Sequence, residues 1–388
     1  MTNFAIVHTD LLESSLAGRA LGLQIREAFV GEPDVVLLFA SPLYDHAELL
    51  RALKQTSETR LLLGCSSAGE FTNQIRGQGL ACAVAFQSEE MQFSLSVGRG
   101  LHDQPELAAR QIVSTFTGFS ESVYRYRTAL VFIDALHGCA NTLIECLTLL
   151  TKGMYQFFGG GAGDNAQFAY TPVFEDTNVL TDAAVVLEIL SQKPIGIGAS
   201  HSWQPNGELM RVTGSKGLVL ESLDGRPAIE AFQLYALETF QPFDLADPLP
   251  FFLINVLGIE IGRGYHQLRV PIAVQPDGSI LCAAEVPLHT SIRFMSAAGS
   301  LPATAATEAT EGALRHLYGS APAFALFFDC VATRLRLGVD FDFELGAVNQ
   351  TLEMTPYVGC NTHGQVARFD GQYSGFLHCT AVVCVFPQ

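Results

Sequence analysis

One pattern occurs three times in this chain. An apolar run ends in glycine, crosses a few small polar residues and re-enters an apolar run. The copies read Gly64-Cys65-Ser66-Ser67-Ala68-Gly69-Glu70-Phe71, then Gly159-Gly160-Gly161-Ala162-Gly163-Asp164-Asn165, and last Gly359-Cys360-Asn361-Thr362-His363-Gly364-Gln365. Glycine sits where backbone needs positive φ or where another group must come close. Apolar runs precede each copy (34–40, 128–135, 323–330), each followed by a helical segment (46–54, 142–150, 339–352). Further apolar runs follow the turns (80–86, 179–189, 376–386). The same elements in the same order point to duplicated supersecondary units with their turns gathered on one side of the molecule.

Between the copies the chain alternates strand-like and helix-like stretches. Residues 4–8, 91–97, 194–200 and 291–297 read as strands, and 16–29, 105–116, 228–237 and 303–317 as helices. Hairpins are expected at 211–223 and across Gln275-Pro276-Asp277-Gly278, which separates 265–274 from 279–285. The fold class is therefore α/β (mixed α+β), with sheets layered by helices. At 388 residues two domains are expected, and the proline-containing stretch 241–250 marks the boundary, giving 1–240 and 241–388.

Hydrophobic residues make up 48% of the chain and charged residues 16%, so the interior is large. No apolar run is long enough to span a bilayer and the start lacks a signal-type segment, so a cytoplasmic location is expected. The net charge of −17, without a basic tract, argues against nucleic acid and anionic membrane surfaces as partners. Nine scattered cysteines without a C-x-x-C pair describe neither a disulfide framework nor a structural zinc site.

Several residues invite a chemical reading. Gly159-Gly160-Gly161 lacks the Gly-Lys-Ser/Thr of a phosphate loop, and Asp164 would repel phosphate, which favours a structural turn. Cys65, Ser66, Ser67 and Glu70 lie on one turn and Cys360 and His363 on another, yet neither forms a nucleophile elbow. A cysteine- or serine-dependent enzyme is the distant alternative. His201, His363 and His378 border turns or loops where an imidazole could ligate a metal or haem iron. Arg334 follows the apolar run 323–330, and its guanidinium could grip a carboxylate or pair with Asp329 or Glu344.

Taken together, the motifs resemble the FIST family (F-box and intracellular signal transduction), with an N-terminal and a C-terminal FIST domain. The resemblance rests on the three turns, on Ile197-Gly-Ala-Ser-His201-Ser-Trp203 and Leu223-Asp-Gly-Arg-Pro-Ala228, and on Asp329-Cys-Val-Ala-Thr-Arg334 and Phe376-Leu-His378. Departures fall at Gly364-Gln365, His378-Cys379 and Ser200-His201-Ser202, where the family commonly has Gly-Glu, His-Asn and Ser-His-Gly. The resemblance implies a sensory small-molecule-binding protein and no enzyme. It also implies a ligand held between the glycine turns and a signalling partner such as a histidine kinase; a homodimer is left open. Some family members bind haem and sense nitric oxide, while amino acids are the alternative ligand class. If haem binds, His201 is the preferred axial ligand, with Trp203 covering the porphyrin, His378 second and His363 third. A non-haem site would draw on Cys65, Ser66, Ser67, Glu70, Gly160, Gly161, Asp164, Trp203, Arg334, Cys360 and His363.

Overall fold

The computed structural model describes residues 2–136, 138–262, 264–297, 303–369 and 373–388. The near-continuous apolar run Val35–Ala40 is buried on both faces, as a central strand between packed layers must be. It runs parallel to Leu61–Ser66 and antiparallel to Ala81–Ser88, which in turn pairs with Thr2–Thr9. This four-strand pattern recurs with Met91–Arg99, Ala183–Ser191, Tyr126–Ile133 and Gln156–Gly161. It recurs again with Gly196–Ser200, Ala381–Pro387, Pro322–Cys330 and Tyr357–Thr362. The chain is thus a mixed α/β protein built from three repeated units.

Each unit gives away its hairpin. Glu70–Thr72 and Arg76–Gly77, from the first unit, extend the third unit's sheet along Tyr357–Thr362. Val173–Glu175 and Asn178–Leu180, from the second, extend the first sheet along Leu61–Ser66. Gln365–Phe369 and Tyr373–Leu377, from the third, extend the second sheet along Gln156–Gly161. Three six-stranded sheets result, each completed by a neighbour.

Alternation along the central strands sorts side chains between two faces. Val36 and Leu38 face the helices Ser14–Ala28 and His46–Ser57, while Val35, Leu37 and Phe39 join the core shared by all three sheets. Equivalent pairs cover the other sheets: Pro105–Val113 with Ala140–Leu150, and Thr304–Arg315 with Phe341–Leu352. At the centre, Phe39, Phe132 and Phe328 form a triangle of edge-on rings with centroids 5.7–6.0 Å apart. Such edge-to-face pairs are favoured by the ring quadrupoles. The three rings occupy the same position in their units, each paired with the residue after the turn glycine.

A fourth sheet, nine-stranded and antiparallel, is inserted in the third unit between Gly196–Ser200 and the helix Thr304–Arg315. It spans Gln204–Pro205 to Ser291–Ser296 and packs the helix Ala228–Glu238 on one face. The boundary expected at 240/241 falls inside this sheet, because Met210–Lys216 and Val219–Leu223 pair with Ser291–Ser296 and Ile280–Cys282.

Local expectations change at 179–189, which divides between Asn178–Leu180 and Ala183–Ser191, and at three further places. Residues 265–274 form two strands, Tyr265–Arg269 and Pro271–Val274, which pair with different neighbours. The run 376–386 divides between Tyr373–Leu377 and Ala381–Pro387, with Cys379 at φ 49° in the turn. Arg334, expected just past a strand, lies on a short helix, Val331–Leu337, which Gly338 ends at φ 57°.

Candidate functional site at the junction of the turns

The three glycine turns meet where the parallel strands end, the edge at which open α/β sheets commonly hold ligands. Gly64, Gly159 and Gly359 are equivalent: a Cβ on each would lie 1.9 Å from Leu38 O, 2.1 Å from Val131 O and 1.9 Å from Phe327 O. No side chain fits there, so glycine is required by close approach of the parallel neighbour. Beyond them the turns close a ring of backbone hydrogen bonds. Ala68 N donates to Asn361 O at 2.8 Å, His363 N to Gly161 O at 3.1 Å, and Gly163 N to Ser66 O at 2.8 Å. Return bonds run from Asn361 N to Gly69 O and from Gly161 N to Gly364 O, both 2.8 Å. The expected gathering of the turns is therefore realised as a three-way lock.

Beside the lock, at the seam of the first and third units, opens a pocket of about 450 Å³ lined by Glu70, Gln78, Arg334, Phe341 and Asn361 among others. Its size suits a small ligand. The helix Val331–Leu337 carries Arg334 over Gly69, whose missing side chain makes room: a Cβ there would lie 3.1 Å from Arg334 Nη1 and 2.8 Å from Asn361 Oδ1. With its amide oxygen turned inward, the exposed Gln78 accepts from both Arg334 Nη atoms. Among the described residues, Arg334 Nε and Asn361 Nδ2 are buried donors without a hydrogen-bond partner. Orphaned buried donors cost stability, so a site that retains two of them is poised for an acceptor.

Glu70 supplies the opposite charge. Its carboxylate, 1% exposed, accepts from Ser67 Oγ at 2.5 Å and from Leu80 N at 3.1 Å. Burial raises its pKa to about 7 against the opposing pull of those bonds and of Arg334. Burial lowers the Arg334 pKa, with Glu70 opposing. The acids considered as partners for Arg334 lie elsewhere: Asp329 and Glu344 are buried together and face Arg336.

Of the residues singled out in the sequence, Ser67, Glu70 and Arg334 meet at this pocket or directly behind it. Others are consumed by the fold. Gly160 and Gly161 pack against Thr362, Ala135 and Phe376. Asp164 accepts backbone N–H bonds from Gln167, Phe168, Ala169 and Tyr170 at 2.7–3.0 Å, which closes its loop. His363 lies 3.3 Å from Asp164 Oδ1 with Phe168 stacked on its ring, and burial lowers its pKa to about 4. Cys65, Cys360 and Ser66 are fully buried, and burial pushes the Cys360 thiol up. A raised thiol pKa is the opposite of what a nucleophile needs.

The haem candidates can be tested for fit. His378 is 1% exposed, and Phe376 and Gly364 pack against its ring; burial and Arg269 lower its pKa to about 3. His201 Nε2 lies 3.2 Å from the His266 carbonyl oxygen. Trp203 is buried and faces Arg336 at 5.4 Å. Neither histidine lines the pocket at the turns, and among the described residues no three His, Cys, Asp or Glu side chains converge as a metal site. So arranged, His201 and His378 lie apart from the pocket that Glu70 and Arg334 line.

Asn361, Gln78 and Phe341 were missed as site residues. One signal was available: Asn361 holds the turn position that Ser66 and Gly161 hold in the other copies.

Comparison with known proteins agrees with the motifs. The FIST N domain matches residues 34–226 and the FIST C domain residues 231–368. The chain belongs to the FIST family. FIST domains are associated with sensory signal transduction and small-ligand binding. No curated protein matches this FIST chain by sequence. Among solved structures it is similar to cyanuric acid hydrolase from A. caulinodans, with 8% identity, a TM-score of 0.36 and full coverage of both chains. It is also similar to PurLQS from Thermotoga maritima, with 12% identity and a TM-score of 0.24, covering 99% of this chain and 72% of that one. Among the described residues of the FIST protein, no helix is long and apolar enough to cross a membrane.

Proposed function

We infer that this FIST protein senses a small zwitterionic metabolite of the amino-acid class in the pocket at the turns. The observation that carries this reading is the pairing of Arg334 with Glu70 across one pocket, beside the Asn361 amide, which has no partner among the described residues. A ligand carboxylate would displace the Gln78 amide oxygen and take two parallel N–H bonds from Arg334, the geometry guanidinium favours. Asn361 Nδ2 would donate to the same carboxylate, and the ligand ammonium would face Glu70 in its ionised form. Output then passes to a separate signalling protein such as a histidine kinase.

Calorimetric titration with a panel of free amino acids tests the reading. At least one should bind, and Arg334→Gln should weaken it roughly 10- to 100-fold, as loss of charge-assisted bonds implies. A variant that binds like the parent protein would remove Arg334 from the role. A panel without binders, together with a Soret band on adding haemin that His201→Ala abolishes, would move the reading to haem.

A further inference from the structure

A second concavity lies on the inserted sheet, away from the glycine turns. It encloses about 570 Å³ beside the helix Ala228–Glu238 and the strands Met210–Lys216 and Val219–Leu223. Its floor is apolar, with Tyr235 and Phe294 stacked at 4.0 Å and Leu223 beside them. The helix turns Phe232, Tyr235 and Ala236 into the core of the insertion. A second face of the same helix is left uncovered. Leu234 is 53% exposed and Leu237 74%, and Phe240, just past the helix end, is 95% exposed. A helix apolar on two faces is normally covered on both.

The rim has one sign. Among the described residues, Glu208, Asp224, Glu230 and Glu238 line the groove against a single cation, Arg226. Glu230, Leu234 and Glu238 are spaced by four on the helix, so acids flank the leucines along one stripe. Carboxylates around an apolar floor complement a segment that offers apolar anchors within a cationic face. Helix-in-groove recognition has this form, read out by anchors three and four residues apart.

We propose that this groove is the docking surface for a basic amphipathic helix of a partner protein. Leu234 and Leu237 contact its apolar stripe, and the four carboxylates meet its lysines or arginines. A second copy of this chain fits poorly, because each would bring net charge −17 to the contact.

Fluorescence anisotropy of a labelled, roughly 14-residue helical peptide of leucine and lysine tests the proposal, with a glutamate-for-lysine counterpart as control. The lysine peptide should bind the full-length protein and the glutamate peptide should not. Leu234→Ser with Leu237→Ser, checked for an unchanged circular dichroism spectrum, should weaken binding by tenfold or more, as loss of two buried leucines implies. Arg334→Gln should leave it unchanged, so failure here is distinguishable from failure of the ligand pocket. Equal binding of both peptides, or undiminished binding by the double serine variant, overturns the proposal. So does a sedimenting dimer that the same substitutions dissolve, since the occupant would then be a second copy.

Discussion

At the residue scale, Glu70 is the group whose charge depends most directly on the fold. Its ordinary value of 4.5 rises to about 7 when folded, with burial the largest cause. Between those values the folded protein holds a proton that the unfolded chain has released. Stability therefore falls as pH rises from 4.5 to about 7, by roughly 3 kcal/mol across the window, and then levels off. Glu70→Gln removes this titration while keeping a side-chain oxygen for Ser67. Urea unfolding of both proteins across the window should show similar stability at its acid end. The variant should gain progressively toward neutrality. Parallel profiles would mean that Glu70 is ionised throughout and that Arg334 compensates its burial fully.

Elements decide how these residues meet, and here the sequence was only partly legible. Central strands could be read because apolar runs such as 34–40 and 323–330 leave no other assignment, and the turn glycines because nothing larger fits beside Leu38, Val131 and Phe327. The helix Val331–Leu337 was missed: at seven residues it is too short to show an apolar period, and it follows a strand without a side-chain cap. The strand break at His378 was missed because Cys379, neither glycine nor proline, takes the left-handed turn. Gln78 was illegible, and Asn361 could be read only by its place in the turn, because the pocket depends on Cys360 pairing with Glu70 across 290 residues of chain. That short helix has a testable consequence. It presents Arg334 to the pocket and, two residues on, Arg336 to Trp203, the chain's single tryptophan. A ligand that pulls on Arg334 should shift the helix and alter the tryptophan's surroundings. Amino-acid binding should change intrinsic emission in the parent protein and leave it unchanged in Arg334→Gln. Calorimetric binding with no change in emission would separate the two ends of the helix.

On the scale of the whole molecule, the exchanged hairpins make the three units depend on one another. A fragment ending after Ala183–Ser191 keeps four strands of the second sheet but loses the strands Gln365–Phe369 and Tyr373–Leu377 that cover its edge. Its own hairpin, Glu70–Thr72 with Arg76–Gly77, has no Tyr357–Thr362 to join. The complementary fragment lacks the hairpin that borders the pocket and two corners of the Phe39–Phe132–Phe328 triangle. Both halves would expose unpaired strand edges beside apolar faces, the arrangement that favours aggregation. Neither 1–192 nor 193–388 should therefore fold alone with native cooperativity. Refolded together they should form a one-to-one complex, because each edge finds its partner and the three-way lock can close. The pocket reports on this, since Glu70 and Gln78 come from one fragment and Arg334 and Asn361 from the other. Size-exclusion chromatography and amino-acid titration of the separate and mixed fragments make the comparison. The expected outcome is binding by the mixture alone; ligand binding by the second fragment by itself would show that the hairpin exchange is not needed to build the site.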